Sequence, residues 1–180
     1  MIMKNTWIML LLCFLGLEVM AQKVDLSGEW HFAIDRADEG IKEKWFSRIL
    51  DDSINLPGSM PEKLKGDDIS IHTQWVGGIY DSSYFFNPYM AKYRIEGQMK
   101  IPFFLTPDKY YKGVAWYQKE VMVPAEWKGE RITLYLERPH IESSVWVNNR
   151  KIGMRNSMSV AHEYDLTSVV TPGKKCRISV

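Results

Sequence analysis

The residues that could do chemistry are few and scattered. The four histidines, His31, His72, His140 and His162, fall at no spacing that would pair two of them on a helix or across a hairpin, and no cysteine sits among them. They read as strand or loop histidines with local partners, and no metal or other cofactor is expected. Gly77-Gly78 stands alone and leads into no helix, so no phosphate-binding loop is present. A G-x-S-x-G elbow is also missing, which leaves a hydrolytic serine without a scaffold. Pro57-Gly58-Ser59 reads instead as a turn after a strand over residues 54–56. Carboxylates are plentiful, and hydrolysis of a glycoside needs two of them facing each other across a sugar. Asp51-Asp52 and Asp67-Asp68 are loop-like pairs that read as solvated surface, and no carboxylate is assigned a catalytic role.

The aromatic residues say more. Residues 75–93 hold Trp75, Tyr80, Tyr84, Phe85, Phe86, Tyr89 and Tyr93. Sugars present apolar C–H faces that stack on such rings, while their hydroxyls need amide and carboxylate partners. Gln74, Asp81 and Asn87 can supply those partners, so Gln74, Trp75, Tyr80, Asp81, Tyr84 and Asn87 form the candidate substrate-binding set. The alternative is that the rings pack this stretch onto the rest of the domain, since aromatics dominate cores as well as sites.

The elements that must carry these residues read as strands. In Trp30, Phe32 and Ile34, apolar bulk falls at every second position, the mark of a half-buried strand. Residues 113–123 form another strand candidate, closed by Pro124, and Ile132, Leu134 and Leu136 alternate with Thr133, Tyr135 and Glu137. Val145-Trp146-Val147 runs into Asn148-Asn149, a pair that tolerates positive φ and suits a tight hairpin, with residues 150–154 as the returning strand. Tyr164-Asp165-Leu166-Thr167 leads to the turn Thr171-Pro172-Gly173, and Cys176, Ile178 and Val180 alternate once more. Short strands at regular spacing predict an all-β fold, an antiparallel β-sandwich or jelly roll. The one short helix expected lies near residues 41–50, where Ile41, Trp45 and Ile49 are four apart. Residues 57–112 lack clean alternation and are expected to be a long aromatic-rich insertion, a kind of segment that is usually functional.

Length and charge bound the rest. The 180 residues suit one domain, and 46% hydrophobic content with 25% charged residues argues against disorder. A net charge of +1 argues against a nucleic-acid partner held by a basic surface. Residues 1–21 differ from everything after them: Lys4 precedes an almost wholly apolar run over residues 7–17, and Val19-Met20-Ala21 follows with a slim side chain at the cut. This is the three-part secretory signal, with cleavage expected after Ala21, and the run is short for a membrane span. A retained anchor and a lipoprotein through Cys13 are the alternatives; Leu12 stands where the latter wants a small residue. The remaining 22–180 would keep only Cys176, so it must be held by packing alone, in a secreted or periplasmic setting with no membrane contact after cleavage. The alternation that runs on to Val180 without a turn suggests the front part of something longer, or a truncated gene product.

Six pieces in order resemble one family. Asp25-Leu26-Ser27-Gly28-Glu29-Trp30-His31-Phe32 is similar to the opening strand of the N-terminal sugar-binding domain of glycoside hydrolase family 2, the β-galactosidase and β-glucuronidase group. Asn55-Leu56-Pro57-Gly58-Ser59 follows, then Gly113-Val114-Ala115-Trp116-Tyr117-Gln118-Lys119-Glu120-Val121 with Val123-Pro124. Val145-Trp146-Val147-Asn148-Asn149 with Ile152-Gly153 resembles the family's hairpin, Tyr164-Asp165-Leu166-Thr167 its next strand, and Pro172-Gly173-Lys174 its last turn. The insertion, with Ile79-Tyr80-Asp81-Ser82-Ser83 and Phe103-Phe104-Leu105-Thr106-Pro107-Asp108-Lys109, looks like that of secreted Bacteroidetes-type members that degrade plant or host polysaccharides.

The resemblance implies a jelly roll that packs against a catalytic barrel and lends side chains to the substrate entrance. It implies that immunoglobulin-like and (β/α)8 catalytic domains follow, and that the acid/base and nucleophile glutamates lie there. O-glycosyl hydrolysis is therefore the parent's reaction, carbohydrate and the parent's catalytic domain are the partners, and no catalytic residue falls in this chain. Three departures stand out: Asn149 in place of the hairpin glycine, Gln118 in place of a common arginine, and Arg155-Asn156-Ser157-Met158-Ser159 in place of a Gly-Gly-Tyr stretch. A free-standing carbohydrate-binding module and a structural interaction domain are the competing readings.

Overall fold

A computed structural model describes residues 22–69, 73, 86–95 and 107–180. Ten strands run through it: β1 (Gly28–Asp35), β2 (Asp52–Leu56), β3 (Asp67–Asp68), β4 (Lys109–Tyr110), β5 (Val114–Met122), β6 (Thr133–Leu136), β7 (Glu142–Val147), β8 (Arg150–Asn156), β9 (His162–Asp165) and β10 (Lys175–Ser179). All of their pairings are antiparallel. Six strands build the main sheet in the order β2-β1-β5-β10-β7-β8, while β6-β9 and β3-β4 form two smaller ladders. The all-β, antiparallel architecture expected from the alternation is the one observed.

The alternation explains which side each residue takes. On one face of the main sheet Val145, Val147, Cys176 and Ile178 pack with Leu134 and Tyr164 of the β6-β9 ladder and with Ile132, Leu166 and Val170. Trp30, Phe32 and Ile54 extend this face across β1 and β2. This is the sandwich core, and the apolar area it removes from water is the main term holding the domain together. Cys176 is a free, buried thiol here, and burial pushes its pKa up, as suits a packing residue.

Turn chemistry sets the register. The β7–β8 hairpin turns at Asn148-Asn149, with Asn148 at φ 52°, and pairs Val147 with Arg150 and Trp146 with Lys151. The turn before β10 places Gly173 at φ 81°, where its N–H reaches the Val123 carbonyl at 2.8 Å. Val180 continues the ladder by exchanging two 2.9 Å hydrogen bonds with Tyr117.

The segment expected as a helix near residues 41–50 takes another form. It is a run of turns with a single 3-10 turn at Trp45–Ser47, entered through Lys44 at φ 55°. Ile41 and Ile49 are more than half exposed, so the four-residue stripe faces no core. The reason is competition for the backbone: side chains of the sheet take the N–H and C=O groups that a helix would need, as described below. Within the described parts of the insertion the regular elements are the β3-β4 ladder, which pairs Asp67 with Tyr110 and Asp68 with Lys109, and a 3-10 turn at Pro88–Tyr93. The leader expected at residues 1–21 lies outside the described residues. Among the described residues no helix is long and apolar enough to cross a membrane.

Candidate functional site

The second face of the main sheet carries a different set of side chains. Trp116 and Gln118 of β5, Trp146 of β7 and Ser179 of β10 all point away from the sandwich core and are buried. Residues 36–51 fold over them. Phe46 stacks on Trp146 with ring centroids 5.5 Å apart, and Trp116 meets Trp146 at 5.0 Å. Gln118 donates from Nε2 to the Trp45 carbonyl at 2.9 Å and accepts the Leu50 N–H at 3.2 Å. Asp35, at the end of β1, accepts the N–H groups of Glu39 (3.0 Å) and Gly40 (2.7 Å) and the indole N–H of Trp116 (3.1 Å). Burial pushes the Asp35 carboxyl upward, but these donors more than offset it and hold it below the usual carboxylate range. Gly40 permits the arrangement, because a Cβ there would lie 2.3 Å from Trp116 Nε1.

Beside this covered region the sheet opens into a cleft of about 630 Å³. It lies where the insertion leaves and rejoins the sandwich. Its walls come from the end of β1 and the loop after it (Asp35, Arg36, Asp38), from β3 (Asp67, Asp68) and from the 110–114 return. Arg36 pairs with Asp67 and Lys109 with Asp68 (2.5 Å), so two ion pairs tie the neck of the insertion together. The Tyr111 hydroxyl is shared between the carbonyls of Asp35 (3.1 Å) and Val114 (3.0 Å), and its ring lies 5.8 Å from the Arg36 guanidinium. Burial is the main cause that pushes the Tyr111 pKa up.

Of the six residues selected from sequence, Gln74, Trp75, Tyr80, Asp81 and Tyr84 lie outside the described residues. Asn87 is described: its Oδ1 accepts the Tyr89 N–H at 2.9 Å and caps the Pro88–Tyr93 turn. The same short segment exposes Phe86 at 80% and Tyr89 at 85%, a pair of rings open to solvent. Asp67 and Asp68 are exposed, as the surface reading had them, yet both are also paired to cations across the insertion's neck. Sequence reasoning passed over Asp35, Arg36, Tyr110 and Tyr111. Tyr110 and Tyr111 carry one signal, their place at the end of the stretch over residues 57–112, and Asp35 and Arg36, at the end of β1, carry none.

A second polar cluster is structural. Ser143 Oγ lies 2.6 Å from His162 Nδ1 and 2.8 Å from the Tyr164 hydroxyl, which donates to the Ser143 carbonyl at 2.7 Å. His162 Nε2 faces the Ser157 carbonyl at 3.1 Å, so that nitrogen carries a proton. Serine and histidine at this distance resemble a nucleophile and its base. Here both are buried, and the group beyond the ring is a carbonyl, so the cluster ties β7 to β9. Among the described residues no group of His, Cys, Asp and Glu could hold a metal ion.

Comparison with known proteins agrees with this architecture. Residues 23–180 match the model of the family described as "Glycosyl hydrolases family 2, sugar binding domain". A β-glucuronidase of Paenibacillus borealis is 25% identical over 159 residues, which is 87% of this chain and 20% of that protein. Among solved structures, Ruminococcus gnavus β-glucuronidase superposes over 88% of this chain and 21% of its own, with a TM-score of 0.55 and 18% identity. Lactobacillus rhamnosus β-glucuronidase superposes over 89% and 22%, with a TM-score of 0.58 and 18% identity. The chain thus spans about one fifth of the length of these relatives, and the structural likeness is one of fold. With the family matched across almost the whole sandwich, the chain belongs to glycosyl hydrolase family 2, as its sugar-binding domain.

Proposed function

We propose that this chain is the sugar-binding and scaffold module of an exported glycoside hydrolase, holding carbohydrate beside a catalytic domain that cuts O-glycosyl bonds. The observation that carries the reading is the family match over residues 23–180 on an antiparallel sandwich. The β-glucuronidases among its relatives support hydrolysis of a β-linked sugar as the parent's reaction. The serine–histidine pair is sealed in the sandwich, and the buried Asp35 is occupied by three N–H donors, so neither acts as a catalyst. Residues 1–21, with Lys4, the apolar run and Ala21, support export to the periplasm or beyond, as in the secreted Bacteroidetes-type members that the insertion resembles.

A second reading, a carbohydrate-binding module that acts alone, draws on the exposure of Phe86 and Tyr89, which flank Asn87 in the chain. Titration calorimetry of the chain against a panel of plant and host oligosaccharides tests the sugar-binding claim. Heat of binding from at least one glycan, weakened by Trp75→Ala or Tyr84→Ala, is expected; silence across the panel overturns the claim.

A further inference from the structure

We propose that the cleft at the neck of the insertion is itself a glycan subsite, and that it selects an uncharged sugar unit. This rests on the sugar-binding reading and adds a place and a chemical preference to it. The volume of about 630 Å³ lies within the range of small-ligand sites. The wall is mixed in the way a pyranose requires. Tyr110 and Tyr111 supply ring surface for C–H faces, while carboxylates and an ammonium surround it.

Two of those carboxylates are held in place. Asp67 is fixed by Arg36 and Asp68 by Lys109, so their remaining lone pairs are positioned to accept hydroxyl protons without further ordering. Two further groups are uncommitted: among the described residues neither the Asp38 carboxylate nor the Lys112 ammonium has a hydrogen-bond or ion-pair partner. Both line the cleft, and they can take a hydroxyl donor and an oxygen acceptor respectively.

The charge count sets the preference. Asp35, Asp38, Asp67 and Asp68 line the cleft against only Arg36 and Lys112. Even with Lys109 neutralising Asp68 from just outside, negative charge remains in excess. A uronate or sulfated sugar would bring another anion into this field, whereas a neutral hydroxylated ring would not. The subsite is therefore distinct in preference from a pocket built for glucuronate. Thr73 lines the same cleft.

The test is a heteronuclear NMR titration of the whole 180-residue chain with β-linked galacto-, gluco-, manno- and xylo-oligosaccharides. Sodium glucuronate and calcium chloride serve as charged probes. At least one neutral oligosaccharide is expected to shift the amides of Asp38, Asp67, Asp68 and Lys112, with glucuronate leaving them in place. Asp38→Ala and Lys112→Ala should each weaken that binding roughly tenfold, about the weight of one hydrogen bond to a charged group, while the circular dichroism spectrum stays unchanged. Neutral-sugar shifts confined to other residues, such as Phe86 and Tyr89, would overturn the subsite and leave the sugar-binding reading standing. Shifts from glucuronate or calcium alone would also overturn it, and no shift from any saccharide would remove both.

Discussion

The Gln118 carboxamide donates to the Trp45 carbonyl across 2.9 Å, so a strand residue in the body of the main sheet holds the loop that covers it. The same side chain accepts from Leu50, closing both ends of the 3-10 turn and its exit. The neutral amide both donates and accepts, which a guanidinium in its place could not do. Gln118→Leu should leave the Leu50 N–H buried without a partner, while the Trp45 carbonyl keeps only the Arg48 N–H at 3.2 Å. The expected loss is about 1–3 kcal/mol of unfolding free energy, read from urea denaturation. A loss within error of zero would show that the loop is held by its aromatic contacts alone.

Gly40 should tolerate no side chain. A Cβ would press on Trp116 and on Asp35 Oδ2 at 2.6 Å, and the sheet beneath cannot yield. Gly40→Ala is expected to cost about 1–3 kcal/mol and to change the near-ultraviolet circular dichroism of the Trp116–Trp146 pair. An unaltered spectrum would mean that the loop shifts freely.

Asp35 predicts the acid limb of stability. Its folded pKa lies below the ordinary value, so the unfolded chain binds the proton more readily. The stability it contributes is therefore complete above the usual aspartate range near ~4 and is lost as pH falls through the folded value. Asp35→Asn should be less stable at neutral pH and show a flatter decline between about pH 5 and pH 2. Parallel profiles for the two proteins would contradict the assignment.

Two buried serines should respond in opposite ways. Among the described residues, the buried Ser179 Oγ has no hydrogen-bond partner, so Ser179→Ala is expected to be neutral or to stabilise by up to about 1 kcal/mol. Ser143 Oγ bonds both His162 and Tyr164, and Ser143→Ala should cost about 1–3 kcal/mol. Thermal melts of the two variants separate these outcomes.

Much of the fold was legible because burial on one face forces period-two patterning. Trp30, Phe32 and Ile34 announced β1, and Asn148-Asn149 announced the β7–β8 turn. The loop over residues 36–51 was not, because its form is decided by polar strand residues: Gln118 holds it from 68 and 73 positions away, and Asp35, which takes two of its N–H groups, is fixed by Trp116, 81 positions on. For the same reason the cleft was invisible: Arg36 meets Asp67 only once β3 and β4 close the insertion's neck. Of the residues chosen for sugar contact, Asn87 shows why composition alone misleads about roles, since its carboxamide oxygen is taken by the turn it caps.

The central claim is that this domain holds a sugar and leaves the cutting to another domain. Its most direct test is release of p-nitrophenol from a panel of p-nitrophenyl β-glycosides by the purified 180-residue chain. The account predicts no release above the buffer rate for any sugar. Turnover that disappears when one of the chain's own carboxylates, such as Asp38 or Asp67, is changed to its amide would contradict it.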